Sequence, residues 1–364
     1  MIRTISQDYK LGNLAQSRLD NPFENTVKST DIDEVWYDQY GIDERTQIVM
    51  SDVKTIVNKV DISDVGLQYS ISHYQVCEHG VLSSYPCNAI TCWGHGARLD
   101  SEQKIVVKRN APELLEQKLS SRTWQPNPIT LGGSADCYNP VERKLRITRK
   151  LLEVFLKYKH PVRIVTKSAL ILRDMDLLTE LHQHGLVSVA ISVSTLNSDL
   201  HQAMEPRTAS PKKRMQVVQM LSQRNIPVTV LAAPIIPGLN DEGIFTLVKV
   251  AADYGATDIN HVILRLNGEV AKVFKDWARK SFPYRWRKIL RKVADVHKGR
   301  IGSNALGVSV RGGGQYAEML TRQFSIAKRT YGMQASELLS IPPYTMAPSI
   351  LKCHYSISDH HEAK

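Results

Sequence analysis

Three of the chain's five cysteines, Cys77, Cys87 and Cys92, fall in one short stretch with the spacing Cx9Cx4C. Thiolates gathered this closely suit a soft metal ion or an iron–sulfur cluster. Cys137 and Cys353 stand apart and read as structural. An odd, sparse set of five in 364 residues is not a secreted disulfide framework. A second group of candidates is small, polar or glycine-rich: Gly132-Gly133-Ser134, Lys167-Ser168, Ser194-Thr195, Pro234-Ile235-Ile236-Pro237-Gly238 and Arg265-Leu266-Asn267-Gly268. Glycine lets a backbone carbonyl come close to a ligand. Arg207 has the fork that grips a carboxylate with two hydrogen bonds. Each has a plainer explanation: a β-to-α turn for the glycines, an ion pair for Lys167 and Arg207, an Asx turn for the nearby Asp136.

The second group lies at the ends of expected strands. Apolar, β-branched runs predict strands at Pro128–Leu131, Arg163–Lys167, Val187–Ser194, Val228–Ile235 and Ile259–Leu266. Helical periodicity fills the gaps at Glu142–Tyr158, Ile171–His184, Lys212–Arg224 and Glu242–Tyr254, and Asn110 reads as the cap of a helix opened by Pro112. Earlier strands are expected near residues 55–60, 65–71 and 104–108. Alternating β and α of this kind means a parallel sheet with helices outside, either an open doubly wound sheet or a complete or partial β/α barrel. Both place ligands at the carboxyl ends of the strands.

Charge divides the chain. Residues 1–50 carry five Lys/Arg against nine Asp/Glu, and residues 271–332 carry fifteen against three, within a net charge of +11. The first stretch reads as a polar leader with one short helix near Asp33–Gln39. The second, with Trp277, Phe282, Tyr284 and Trp286 among its bases, fits a nucleic-acid surface as well as a solvated helix face anchored by core aromatics. The expected organisation is a leader at 1–51, a β/α unit at 52–270, a basic helical extension at 271–339 and a tail at 340–364. The most apolar run, about Val228 to Leu239, is broken by two prolines and too short to cross a membrane. With no signal-peptide pattern, the expectation is a soluble, cytoplasmic protein. There is no GxxxxGKS, GxGxxG or HExxH motif, and Arg311-Gly312-Gly313-Gly314 is a weak phosphate-loop candidate.

A series of phrases gives a sharper reading. They are Tyr74-Gln75-Val76-Cys77-Glu78-His79-Gly80, Val107-Lys108-Arg109-Asn110-Ala111-Pro112-Glu113-Leu114-Leu115, Asp136-Cys137-Tyr138-Asn139-Pro140-Val141-Glu142-Arg143, Thr166-Lys167-Ser168-Ala169-Leu170, Glu205-Pro206-Arg207 and Ala233-Pro234-Ile235-Ile236-Pro237-Gly238. In this order, over roughly residues 50–330, they resemble the radical S-adenosylmethionine superfamily, in the bacterial branch related to spore photoproduct lyase. The resemblance implies a partial (β/α)6 TIM-like barrel. It implies a 4Fe–4S cluster and S-adenosylmethionine as cofactors, and reductive cleavage of the latter to begin radical chemistry. A flavodoxin or ferredoxin would be the reductant, and nucleic acid a possible substrate. It also implies that Gly132, Gly133 and Ser134 meet the S-adenosylmethionine amino group, and that Lys167, Ser194 or Arg207 holds its carboxylate.

The chain departs from the family where the chemistry is most demanding. The family's CxxxCxxC falls on Cys77, Val81 and Ser84. Valine offers no lone pair, and a serine oxygen is a hard, poor substitute for thiolate. The family's Asn-Pro before the tyrosine is Ser72-His73, and its Asn-Thr before the aspartate is Ser134-Ala135. Three readings stay open here: a rewired triad of Cys77, Cys87 and Cys92, a non-catalytic descendant that binds ligand or nucleic acid, and a frame slip between codons 77 and 95.

Overall fold

The computed structural model describes residues 47–62, 67–75, 104–266, 270–297 and 312–333. Its main sheet holds β2 (Val57–Ile62), β3 (Leu67–Ile71), β6 (Ile129–Leu131), β7 (Val162–Thr166), β8 (Val187–Ser192), β9 (Val228–Ile235) and β10 (Asp258–Ile263). The spatial order is β10-β9-β8-β7-β6-β3-β2, with β2 antiparallel to β3 and every later pair parallel. Six parallel strands are thus laid down in one direction from β3 to β10. A doubly wound sheet reverses its order part-way; an opened β/α barrel does not. The strand pattern alone left that choice open, and the order agrees with the partial barrel that the resemblance implied. A second sheet, β1 (Gln47–Ser51), β5 (Lys104–Lys108) and β4 (Tyr74–Gln75), stands beside it in the order β1-β5-β4.

The helices are α1 (Ala111–Leu119), α2 (Glu142–Leu145), α3 (Ile147–Lys157), α4 (Met175–Gln183), α5 (Ser198–Met204), α6 (Pro211–Ser222), α7 (Ile244–Asp253), α8 (Val270–Ser281), α9 (Trp286–Val296) and α10 (Gly314–Thr330). The helix expected over 142–158 is broken at Arg146, whose φ of 53° is left-handed. Glu142 explains the break. Its buried carboxylate accepts from the backbone N–H groups of Thr148 (3.0 Å) and Arg149 (3.4 Å), and so caps the first turn of α3. Asn110 precedes α1 but does not cap it. Its amide instead pairs with both backbone groups of Val53, at 3.2 and 2.9 Å, and ties α1 to the segment after β1.

Packing follows the sequence pattern. β8 is buried along its whole length, as expected of a strand covered on both faces. The main core joins the strands to the inner faces of α1, α3, α4, α6, α7 and α10. A second apolar cluster joins α5 to α8 and α9 through Met204, Phe274, Trp277, Phe282, Ile289 and Val293. α10 lies over β10, where His261 stacks on Phe324 at 4.4 Å and Lys328 pairs with Asp258 at 2.5 Å. The described helices of the basic segment, α8, α9 and α10, are therefore packed into the body of the protein. Gly312 is a packing glycine: a Cβ there would lie 3.3 Å from Ile263, and Gly313 N–H is taken by the Val296 carbonyl at 3.0 Å. Gly312 and Gly313 of the phosphate-loop candidate are thus packed before α10. No helix among the described residues is long and apolar enough to cross a membrane. The leader helix near Asp33–Gln39 and residues 340–364 lie outside the described residues.

Candidate ligand site at the carboxyl ends of the strands

The polar residues at the strand exits are joined by a seam of hydrogen bonds. At one end, Ser72 after β3 meets Ser134 after β6, with 2.5 Å between the Oγ atoms. Asp136 then bridges β6 to β7. Its Oδ1 accepts from Thr166 Oγ1 (2.6 Å) and from Tyr138 N–H (2.9 Å), and its Oδ2 accepts from Lys167 N–H (2.8 Å). This is an Asx turn that also reaches the next strand.

Lys167 continues the seam to β8. Its Nζ lies 2.6 Å from Glu205 Oε1, and the other oxygen of Glu205 lies 2.6 Å from Nη2 of Arg214 on α6. Arg214, 1 % exposed, also donates Nη1 to Ser192 O (2.7 Å) and Nε to Ala209 O (2.8 Å), and it contacts Thr208 and His201. Burial opposes ionisation of Glu205, but Lys167 and Arg214 outweigh it and hold the carboxyl at about 2. Burial first, and then the Arg214 charge, hold His201 neutral with a pKa of about 3. Beyond β8, Asn240 Nδ2 donates to both Ser194 O (2.7 Å) and Pro234 O (2.9 Å), and its Oδ1 accepts from Ile236 N–H (2.7 Å). One side chain thus clamps the exits of β8 and β9.

The expected ligand residues have distinct places in this arrangement. Gly132 is demanded by packing: its φ is +83°, and a Cβ there would sit 2.0 Å from Val165 O. Gly133 has open space on its Cβ side. Lys167 is engaged by Glu205, while Arg207 is half-buried in the turn after α5, two residues beyond Glu205. Ser194 is 2 % exposed and its Oγ makes no hydrogen bond. A buried hydroxyl without a partner is costly, and a ligand atom is one way to satisfy it. Sequence reasoning gave no ligand-site role to Glu205, Arg214, Asn240 or Ser72. Arg214 carried a signal: it interrupts the apolar stripe of Met215, Val217, Val218 and Leu221 that α6 buries.

Cys77, Cys87 and Cys92 lie outside the described residues. Among the described residues, no group of three His, Cys, Asp or Glu could hold a metal ion. The free cysteine among them, Cys137, is buried, with its Sγ 3.8 Å from Val165 O, and burial pushes its thiol well up. It is a packing residue, as its sequence context suggested. Strand β4, which runs toward Cys77, is anchored by Tyr74 OH on Glu142 at 2.5 Å, and Glu142 is paired with Arg173 at 2.7 Å.

The family model described as the radical SAM superfamily matches residues 106–251. Over those residues the chain is similar to the radical SAM superfamily. It is 26 % identical over 247 residues to an uncharacterized protein of Mycobacterium tuberculosis (strain H37Rv), covering 66 % of this chain and 72 % of that one. It is also 26 % identical over 251 residues to an uncharacterized protein of Methanocaldococcus jannaschii, covering 69 % and 89 %. The likeness of fold extends to solved structures. Spore photoproduct lyase complexed with dinucleoside spore photoproduct superposes with a TM-score of 0.55 over 81 % of this chain and 86 % of that one, at 16 % identity. A variant of that lyase with bound AdoMet and dinucleoside spore photoproduct gives 0.57 over 80 % and 85 %, at 16 % identity. At this identity the likeness is one of fold.

Proposed function

We propose that this radical SAM protein binds S-adenosylmethionine across the carboxyl ends of β6 to β9. The observation that carries the reading is the buried, unsatisfied Ser194 hydroxyl beside the Asn240 clamp, on the rim where a β/α barrel takes its ligands. Gly132 fixes the β6 exit, so that Gly133 and Ser134 offer backbone groups to the amino end of the ligand. Ser194, Lys167 and Arg207 are the partners for its carboxylate. Lys167 pairs with Glu205 and can serve the ligand without leaving that pair, since an ammonium has three donors.

The superfamily reaction needs three thiolates around a 4Fe–4S cluster, which supplies the electron for reductive cleavage. At the family spacing this chain has Cys77 and then Val81 and Ser84, and no described residue takes their place. We therefore read the protein as a descendant that keeps the S-adenosylmethionine site and has given up the cleavage. A second reading has its own observation: Cys87 and Cys92, with Cys77, make a Cx9Cx4C triad that would retain the cluster and the reaction. Anaerobic iron–sulfur reconstitution, with iron counting and a visible spectrum, separates them. The first reading expects no bound iron and micromolar calorimetric binding of S-adenosylmethionine. About four irons per chain, lost on C87A or C92A, establishes the second. No binding of S-adenosylmethionine in either state overturns the site.

Nucleic acid is the proposed macromolecular partner. The solved lyase structures carry a dinucleoside photoproduct, and α8 and α9 of this chain expose Lys275, Arg279, Arg287, Lys288 and Arg291. Trp277 and Phe282 are core anchors, whereas Tyr284 is 97 % exposed and available for stacking. Binding of an oligonucleotide should weaken steeply with salt. A chain without affinity even at low salt removes this partner.

A further inference from the structure

The turn that leaves β9 at Pro237-Gly238 rests directly on the basic helices. Arg285 Nη2 donates to Gly238 O at 3.0 Å. Gly238 N–H donates to Asp241 Oδ2 at 3.0 Å, and Tyr316 of α10 donates its hydroxyl to the same oxygen. Lys292 of α9 donates to Tyr316 OH at 2.7 Å. A side chain at 238 would be strained at a φ of +81°, and its Cβ, 2.9 Å from Lys292 Cδ, would displace the lysine. Two residues further on, Asn240 holds the Ser194 carbonyl. The Ser194 end of the rim and α9 therefore share a single turn.

Arg285 stands at the border of two surfaces. Its side chain is 35 % exposed, and its guanidinium has only a long approach, 3.7 Å, to Glu242 in addition to the Gly238 carbonyl. Next to it in the chain are exposed Arg287 and Lys288, with Arg287 lying 5.3 Å over the Trp286 ring, and fully exposed Tyr284. A phosphate drawn to this face competes for Arg285, and a charged acceptor forms the stronger hydrogen bond than a neutral carbonyl.

We propose that Arg285 is a shared group. Bound at the α9 face, a single-stranded nucleic acid takes Arg285 from Gly238 O, loosens the β9 exit turn and weakens ligand binding at the Ser194 end of the rim. The coupling is reciprocal, so the rim ligand weakens nucleic-acid binding by the same factor. This rests on the reading of the rim as an S-adenosylmethionine site and of the helices as a nucleic-acid surface.

The test uses the full chain, S-adenosylmethionine, and an oligothymidylate of about 15 nucleotides, a length that spans one binding face. Calorimetry at fixed ionic strength gives the S-adenosylmethionine Kd with and without saturating oligonucleotide. We expect a weakening of about fivefold, at the low end of coupling between sites. In R285Q the ratio should fall to one, whereas R287Q should bind the oligonucleotide less tightly yet keep the fivefold ratio at saturation. If both ligands bind the native chain and the ratio is one, the coupling is wrong and the rim reading stands. A ratio that survives in R285Q overturns the shared-group assignment. Failure of either ligand to bind alone removes the reading on which the coupling rests, and the coupling with it.

Discussion

Ser72 and Ser134, 62 residues apart in the chain, close the exits of neighbouring strands β3 and β6 with a hydrogen bond of 2.5 Å between their hydroxyls. Both positions depart from the family pattern, and the structure brings the two departures into contact. His73, in place of the family's proline, is buried and shares a 2.8 Å hydrogen bond with Thr148 Oγ1, whose own proton goes to Cys137 O. His73 Nε2 must therefore carry the proton. The drift at this end of the rim is one rebuilt polar patch.

The hydroxyl pair predicts non-additivity. S72A and S134A should each cost no more than about 1 kcal/mol in urea unfolding, since the pair is exposed. The double variant should cost little more than either single one. Strict additivity would show that the two hydroxyls do not stabilise each other.

The two adjacent glycines should behave differently. G132A must place a Cβ against Val165 O in a left-handed conformation, and we expect a loss of about 2–4 kcal/mol. G133A meets nothing within 4 Å and should unfold like the native chain. G133V should keep that stability and lose S-adenosylmethionine binding, if the open side of Gly133 is where the ligand lies. Retained binding by G133V would move the ligand away from the β6 exit.

Glu205 holds two cations, one of them fully buried. E205Q leaves Arg214 without its counter-charge in the interior, and the expected cost is about 3–5 kcal/mol in denaturant unfolding. K167M should cost less, because Lys167 is 16 % exposed and its loss leaves Glu205 paired with Arg214. A K167M variant as damaged as E205Q would mean that Arg214 alone cannot support the carboxylate.

Much of the fold was legible because its strands are apolar, β-branched and regularly spaced, and each expected parallel strand was found within a few residues. Strand spacing alone left barrel and doubly wound sheet both open, since that choice depends on the order of strands in space; the family resemblance implied the partial barrel, and the strand order agrees with it. The split at Arg146 was hidden because α2 and α3 share one helical periodicity; the break depends on Glu142 folding back as a cap. At the rim, the phrases around Asp136, Lys167 and Glu205 were visible as separate motifs. Their unity was not, because hydrogen bonds across 31 and 38 residues join them. Arg285 was legible only as one base among many, and its contact with Gly238 is a product of tertiary packing.

Three of the buried histidines among the described residues give the protein a defined acid limit. Burial lowers His73 to about 3, His160 to about 4 and His201 to about 3, each from an ordinary value of 6.5. His160 shows why it stays neutral: one nitrogen bonds Pro161 O at 3.0 Å and the other accepts from Trp124 Nε1 at 3.1 Å. Below pH 6.5 the unfolded chain takes up protons at these positions and the folded chain does not. The stability from the neutral rings is therefore complete above that pH and is lost as pH falls toward 4 and then 3. Each ring adds a slope of up to about 1.4 kcal/mol per pH unit. Glu205 acts later, since its carboxyl titrates near 4.5 unfolded and about 2 folded, so its contribution is lost only as pH falls through that window. Thermal melts should be level from pH 8 to 7 and then fall with increasing steepness below 6.5. H160N should flatten the fall between pH 6 and 4 by about one ring's share. A melting temperature that is constant from pH 7 to pH 5 would mean that these imidazoles take up protons in the folded protein.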